Sequence, residues 1–170
     1  MIIREAQLRD MSALSEVAKK TYTETFGDGL TPEQLSSVLE STRSEKYFKS
    51  KIDSDTILVA LDGSRLVGYI QINDVGYEVE GVKITDKDQA IHSIYVDSDF
   101  QGKEIGKSLM DAAFNHPRIR KAANVYIDVY EANTRALTFY KGYGFRTVGK
   151  VEVLISGKHI GFDLVMMKPS

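Results

Sequence analysis

Cysteine and tryptophan are both absent from the chain, and proline occurs only three times in 170 residues. The lack of cysteine excludes disulfide bonds, thiolate metal sites and covalent catalysis through a protein thiol. The N-terminus lacks the basic-then-apolar order of a secretory signal peptide. No apolar run approaches the ~20 residues that span a bilayer. The sequence therefore predicts a cytoplasmic protein with no membrane association.

An excess of basic charge is also missing. Lysine and arginine number 22 and aspartate and glutamate 24, for a formal net charge of −2. Non-specific nucleic-acid binding requires a basic surface that displaces counterions from phosphates, so no nucleic-acid partner is predicted. The three histidines, His92, His116 and His159, lie on separate predicted elements without ligand spacing, so no metal site is predicted either.

The spacing of apolar residues alternates between helical and strand periods along the chain. Strands are predicted at 2–4, 56–61, 66–72, 90–96, 125–129, 145–155 and 160–167, and helices from 8 to near 27, from 31, and at 43–52, 102–115 and 133–141. Asp62-Gly63 indicates a hairpin between the second and third strands. The polar segment 73–88 is interpreted as a loop, with one further strand inside it left open.

This order of elements predicts a single α/β domain over residues 1–170. Two strand–helix–strand steps in the middle require locally parallel pairing with right-handed crossovers, whereas the hairpins on both flanks add antiparallel pairs. The predicted fold is thus a mixed, mostly antiparallel central sheet of six to seven strands flanked by helices. It is not a doubly wound parallel sheet.

The segment from Val96 to Ser108 is the most informative about chemistry. A predicted strand ends, a short loop follows, and a helix begins with glycine and lysine in its first turn. The first amides of a helix lack a partner within the helix and carry partial positive charge, and glycine lets a phosphate approach the backbone. The segment favours a phosphate site over a merely irregular helix start. Gly106-Lys107-Ser108 also ends like a P-loop, but Gln101 stands where that motif requires glycine.

Two motifs resemble the GNAT N-acetyltransferase superfamily. Gln101, Glu104 and Gly106 stand at the fixed positions of its acetyl-CoA signature, Gln/Arg-x-x-Gly-x-Gly/Ala after a strand. Residues 133–145 match every fixed position of its second motif, Asn-x-x-Ala-x-x-Phe-Tyr-x-x-x-Gly-Phe. The resemblance covers about residues 1–168, because the order of the other elements also fits. It departs at Glu104, where the family usually has glycine.

The resemblance implies transfer of an acetyl group from the co-substrate acetyl-CoA to a primary amine, with residues 90–145 as the acetyl-CoA-binding core. The residues that it implies in acetyl-CoA binding are Ile94, Tyr95, Val96, Gln101, Gly102, Lys103, Glu104, Ile105, Gly106, Lys107, Ser108 and Asn133. Tyr140 matches the family's proton donor to the CoA sulfur, and a phenol, with its ordinary pKa of ~10, suits a thiolate of similar basicity. The carboxylate of Glu104 would repel a pyrophosphate, and Lys103 and Lys107 could offset that repulsion.

The general base and the acceptor site are less closely defined. His92 lies in the strand before the loop and is the first candidate base, because a histidine titrates near neutrality. Glu24 and Glu131 are alternatives. Tyr22, Glu24 and Phe26 place a carboxylate beside aromatic rings, an arrangement suited to a cationic amine.

The N-terminal helices, at about 8–52, form the predicted acceptor side and are loosely similar to the bacterial spermidine/spermine acetyltransferase branch. A polyamine is therefore the leading acceptor hypothesis, ahead of an amino acid, an aminoglycoside or a protein N-terminus. Two alternatives remain, a catalytically weak acetyl-CoA-binding module, because Glu104 breaks the signature, and a P-loop nucleotide-binding protein. The final hairpin offers strands that could pair between subunits, and GNAT proteins are often dimers, so a homodimer is also considered.

Overall fold

The computed structural model describes all 170 residues. The strands are β1 Ile2–Glu5, β2 Thr56–Asp62, β3 Arg65–Asp74, β4 Gln89–Val96, β5 Asn124–Tyr130, β6 Arg146–Ile155 and β7 Lys158–Pro169. The helices are α1 Met11–Phe26, α2 Pro32–Arg43, α3 Glu45–Lys51, α4 Ile105–Asn115, α5 Pro117–Arg120 and α6 Thr134–Gly142. Single 3-10 turns lie at Leu8–Asp10, Gly27–Gly29 and Ser98–Phe100. None of the helices combines the length and apolarity that crossing a bilayer requires.

The seven strands form a sheet in the order β1-β2-β3-β4-β5-β7-β6. Neighbours β1 and β2, β2 and β3, β5 and β7, and β6 and β7 run antiparallel. β4 and β5 run parallel, with Gln89 opposite Val125 and Ala90 opposite Tyr126. This confirms the predicted mixed, mostly antiparallel sheet flanked by helices. It does not fit the P-loop alternative, which needs a mainly parallel sheet.

The chain forms two compact units, which are described separately. The first consists of Met1–Ile72 and Ser93–Asn115, and the second of Asn73–His92 and His116–Ser170. In the first unit, apolar residues of α1 and α3 pack on β2 and β3. The buried members of this core are Met11, Leu14, Val17, Ala18, Phe48, Ile57, Val59, Leu66 and Tyr69. Because side chains alternate along a strand, this face of β2 is closed by α1 and α3.

In the second unit, the long segment between β3 and β4 covers the strands β5, β6 and β7. Val79 of this segment packs with Tyr126 and Val165. A side chain at Gly149 would collide with Val79, so the glycine allows the segment to lie close to β6. Between β3 and β4 no further strand forms, and the only strand-like pairing is an isolated bridge between Val79 and Val82.

Two predicted helix starts differ from the structure. Arg43 ends α2, and Ser44 caps α3 by accepting a hydrogen bond from the Tyr47 amide at 3.1 Å, so the third helix does not begin at Arg43. The fourth helix begins at Ile105 and not at residue 102, because the two positive φ angles described below are incompatible with a helix. α4 ends at Asn115, and His116 caps the short helix α5 by accepting a hydrogen bond from the Arg118 amide.

Candidate active site

Asp97 anchors the loop between β4 and α4, within the first unit. Its amide donates to the Val67 carbonyl at 2.8 Å, and its carboxylate accepts from Lys20 Nζ at 2.5 Å and from Arg65 Nη2 at 2.9 Å. The side chain is only 3% exposed. Burial raises the pKa of Asp97, but the hydrogen bonds from Lys20, the Asp99 amide and Arg65 outweigh burial and lower it below its ordinary value. Sequence reasoning assigned Asp97 no role, although an acid directly after a strand was the available signal.

The backbone around Glu104 explains the glycine that the acetyl-CoA signature has at this position. Glu104 has a φ of 56° and Gly102 a φ of 82°, both in the left-handed region. A side chain in that region costs roughly 1–2 kcal/mol, a cost that glycine avoids. The Ser108 amide donates to the Glu104 carbonyl at 2.9 Å and forms the first hydrogen bond of α4. The Glu104 side chain is exposed.

Glycine at position 106 is not required by packing within the protein. A side chain there would meet only a Val96 methyl group, at 3.9 Å, which is an ordinary contact. A side chain at position 102 would meet no atom within 4 Å. Glycine inside a helix is destabilising by roughly 0.5–1 kcal/mol relative to alanine. The open space at the first turn of α4, where helix amides attract anions, is therefore suited to a phosphate group.

The lysines that were expected to offset Glu104 have contacts within the protein. Lys103 Nζ lies 4.6 Å from the centroid of the Phe100 ring, with the Arg65 guanidinium carbon 4.8 Å from the same centroid. Lys107 Nζ forms an ion pair with Asp111 at 3.2 Å, and both side chains are exposed. The backbone amide of Gln101 donates a hydrogen bond to the Ser98 carbonyl at 3.2 Å. The backbone amides, more than these lysines, are thus the groups suited to hold an anion.

The end of β4 lies close against β3. Ile94, Tyr95 and Val96 are half-buried. A side chain at Gly68 of β3 would come within 2.9 Å of the Tyr95 carbonyl oxygen and 3.4 Å of the Val96 Cα. Gly68 therefore allows the close approach that places the strand end directly before the loop.

The residues predicted to bind the acceptor lie at the end of α1. The Tyr22 and Phe26 rings are in contact, with centroids 4.9 Å apart and their planes tilted by 45°. Glu24 accepts a hydrogen bond from Ser98 Oγ at 3.0 Å and lies 3.9 Å from Lys20 Nζ. The Glu24 carboxylate is therefore already engaged with the loop after β4.

In the second unit, Tyr140 is held by the cap at the end of α6. The Phe145 amide donates to the Tyr140 carbonyl at 3.1 Å, and the Gly144 amide donates to the Lys141 carbonyl at 3.0 Å. Gly144 has a φ of 88°, and the Phe145 and Tyr140 rings are 6.1 Å apart. This is a Schellman cap with its hydrophobic contact. The fixed glycine and phenylalanine of the second motif thus fix the helix end that carries Tyr140, which is 6% exposed.

Asn133 has a structural role at the other end of the same helix. Its side-chain oxygen accepts a hydrogen bond from the Ala136 amide at 3.2 Å and caps α6. Its expected contact with acetyl-CoA remains a prediction, and the cap gives a second reason for asparagine at this position.

His92 lies next to a pair of carboxyl groups that sequence reasoning missed. Asp128 of β5 and Asp163 of β7 share a sheet face, because Asp128 is opposite Val165, and they hydrogen-bond to each other. Burial raises the pKa of Asp128, although the charge of His92 opposes the rise. Burial and the neighbouring Asp128 raise the pKa of Asp163 to about 7. The pair therefore retains a proton near neutrality. Its only signal in the sequence was an acid in the apolar strand 125–129.

Comparison with known proteins agrees with both motifs. The model of the family described as Acetyltransferase (GNAT) family matches residues 12–145. An uncharacterized N-acetyltransferase of Lactobacillus delbrueckii subsp. lactis is 24% identical over 163 residues, 94% of this chain and 92% of that protein. A spermidine N(1)-acetyltransferase of Thermoplasma acidophilum is 24% identical over 154 residues, 85% of this chain and 87% of that protein. The crystal structure of a PaiA N-acetyltransferase from Thermoplasma acidophilum in complex with coenzyme A superimposes with a TM-score of 0.77 at 21% identity, covering 99% of this chain and 98% of that chain.

Proposed function

The chain belongs to the acetyltransferase (GNAT) family, and from this premise we propose that it moves the acetyl group of acetyl-CoA to a primary amine by direct attack in a ternary complex. The observation that carries the proposal is the start of α4. The backbone there turns through left-handed φ angles at Gly102 and Glu104. Packing within the protein does not require the glycine at position 106. Both features are suited to a pyrophosphate.

The groups that would bind acetyl-CoA are mainly backbone amides. The amides from Gly102 to Lys107 would hold the pyrophosphate, because the Gln101 amide already donates to the Ser98 carbonyl. The strand end 94–96 would contact the pantetheine arm. Asn133 would contact the same arm. An amide at the strand end could donate to the thioester oxygen, where negative charge develops during attack.

The chemistry requires two proton transfers. The amine nitrogen must be neutral to attack the thioester carbon, a C–N bond forms, and the C–S bond breaks. The departing thiolate takes a proton, for which Tyr140 is the proposed donor. The nitrogen loses a proton, for which His92 is the proposed acceptor, directly or through water. Each step balances without a redox partner or a metal.

The carboxyl pair supports His92 as the proposed base. Negative charge on Asp128 favours a protonated imidazole, so it would stabilise His92 after it has taken a proton. Glu131 lies in the same unit, and its amide donates to the Phe162 carbonyl at 3.0 Å. Glu24 is engaged by Ser98 and Lys20, which makes it a weaker candidate.

The acceptor is proposed to be a small amine bound by the N-terminal helices at about 8–52. The support for a polyamine is the name of the distant spermidine-acetylating relative and the aromatic pair Tyr22 and Phe26. A polycation also needs uncommitted carboxylates, and the engagement of Glu24 reduces their number.

The proposed function is tested by release of free CoA from acetyl-CoA with a panel of amines that includes spermidine, spermine, amino acids and aminoglycosides. Amine-dependent release above the rate of hydrolysis supports the proposal. Binding of acetyl-CoA without release for any class of amine would contradict it.

A catalytically weak acetyl-CoA-binding module is the second candidate, and the strained Glu104 is the observation that favours it. Under this alternative, Glu104→Gly raises the affinity for acetyl-CoA while no amine supports turnover in either protein. Under the enzyme proposal, turnover is present in the wild-type chain.

A further inference from the structure

A buried cation in the first unit has no acidic partner. Arg43, at the end of α2, is 7% exposed, and the Ser15 hydroxyl fixes its backbone by donating to the Arg43 carbonyl at 2.8 Å. The guanidinium carbon lies 5.0 Å from the centroid of the Tyr22 ring and 5.7 Å from that of Tyr95. Its Nη1 donates to the Thr42 carbonyl at 2.8 Å, and the guanidinium also hydrogen-bonds the Tyr95 side chain. None of the ion pairs in the structure includes this residue.

The tyrosines around Arg43 do not neutralise it. Burial raises the pKa of Tyr69 well above its ordinary value, so this phenol is uncharged at neutral pH. Aromatic faces attract a guanidinium, but a buried charge without a counter-ion remains costly. Such a charge is usually paired in a folded protein, so this site is suited to binding an anion.

Unsatisfied hydrogen-bond donors accompany the unpaired charge. The Nε of Arg43 is buried and lacks a hydrogen-bond partner, and the buried hydroxyls of Tyr69 and Ser93 have no partner beyond each other. The Tyr69 and Tyr95 rings are 5.9 Å apart, which links these groups to the ring that borders Arg43. Ser93 and Tyr95 lie on the same face of β4 because side chains alternate along a strand. All three groups can donate a hydrogen bond, which is what a carboxylate accepts.

We infer that Arg43, Tyr69 and Ser93 form a subsite for a carboxylate of the acceptor, so that the amine that is acetylated belongs to an amino acid or a similar carboxylated amine. The inference rests on the proposed function and names its substrate class. Tyr22 and Tyr95, which flank the guanidinium, come from the predicted acceptor helix and from the strand end predicted to contact acetyl-CoA. A polyamine has no anion to offer this cluster and would add positive charge beside Arg43.

The test compares two amines that differ only in the anionic group, an L-amino acid and its neutral amide, across a panel of side chains. In the wild-type chain, we expect kcat/KM for the preferred amino acid to exceed that of its amide by at least ~10-fold. Arg43→Gln should lower kcat/KM for the amino acid about 100-fold, and that for the amide less than about 10-fold. Arg43→Lys should restore part of the preference, because it keeps the charge but not the planar donor set.

Binding provides a readout that does not depend on turnover. Calorimetric titration with the corresponding N-acetyl amino acid should give a lower affinity for Arg43→Gln, whereas Arg120→Gln, at an exposed arginine of α5, serves as the matched control. The inference would be overturned if Arg43→Gln lowered kcat/KM equally for the amino acid and its amide. It would also be overturned if the wild-type chain preferred spermidine to every carboxylated amine. Either result would leave the proposed function standing. If no amine is acetylated at all, the proposed function is overturned, and the same titration with a panel of N-acetyl amino acids decides the carboxylate subsite.

Discussion

The two units of the chain differ in the kind of group that they bring to the chemistry. The first unit offers hydrogen-bond donors and positive charge, in the start of α4 and in the unpaired Arg43. The second offers groups that give or take protons, with Tyr140 on α6 and with His92 beside the Asp128–Asp163 pair. Donors without partners favour the binding of anions, whereas carboxyls with raised pKa values favour proton transfer near neutrality. The difference indicates that binding and proton transfer can be impaired separately.

The largest expected effect is loss of turnover without loss of binding. Tyr140→Phe removes the proposed proton donor but keeps the ring that packs against Phe145. We expect kcat to fall about 100-fold or more, and the Kd for acetyl-CoA to change less than about 3-fold. Steady-state CoA release and calorimetry measure the two quantities. Tyr143→Phe, at the end of the same helix, is the control, and an unchanged kcat for Tyr140→Phe would remove Tyr140 from this role.

In the first unit, we expect a change that weakens acetyl-CoA binding without destabilising the fold. Gly106→Ala should weaken acetyl-CoA binding about 10-fold, because the new methyl group occupies the space left for the phosphate. The same change should raise Tm by about 2 °C, since alanine favours the helix by roughly 0.5–1 kcal/mol. Gly142→Ala, at a helical glycine with no atom within 4 Å, should stabilise the fold with no effect on binding. Unchanged affinity for Gly106→Ala would contradict the phosphate site.

Glu104→Gly should produce a smaller gain in the same unit. It removes a left-handed side chain and a negative charge, so we expect about 1 kcal/mol more stability and acetyl-CoA binding improved about 3-fold. Glu104→Gln removes only the charge and separates the two causes. Ser156→Gly, at the other non-glycine residue with positive φ, should stabilise the protein without affecting binding. Weaker binding in Glu104→Gly would show that the carboxylate has a positive role.

The last expected effect is on stability against pH in the second unit, with the smallest change in acetyl-CoA binding. The pKa of Asp163 is raised to about 7 in the folded chain, against about 4 in an unfolded one, so its stabilising contribution is complete below pH ~4 and is lost as pH rises to 7. Asp163→Asn cannot ionise, so the wild-type Tm should fall relative to this variant by about 5 °C or more between pH 5 and pH 8. Asp62→Asn, at an exposed end of β2, is the control. A constant difference across this range would mean that Asp163 does not titrate there.

The sequence predicted those site features that depend on neighbours in the chain. The second motif could be recognised because each fixed residue has a local task, with Asn133 as a cap and with Gly144 and Phe145 as the helix end. The order of strands and helices also predicted the mixed sheet, because the period of apolar residues is a local property of the chain. The predicted start of α4 was three residues early, because the φ of Glu104 is not apparent from its residue type.

Features that depend on distant parts of the chain could not be predicted. Asp128 and Asp163 meet only through the register of β5 against β7, and neither residue alone suggests a shared proton. Arg43 was expected to begin a helix, and its burial beside Tyr22 and Tyr95 follows from the packing of α2 near α1 and β4. In both cases tertiary packing, and not local spacing, creates the chemistry.

Calorimetric titration with acetyl-CoA and with S-acetylpantetheine, which lacks the diphosphate together with the 3′-phosphoadenosine, tests the central claim most directly when Gly106→Ala is titrated beside the wild-type chain. If the amides at the start of α4 bind the diphosphate, acetyl-CoA should bind at least ~100-fold more tightly, and Gly106→Ala should reduce only the affinity for acetyl-CoA. Equal affinities for the two compounds would contradict the account.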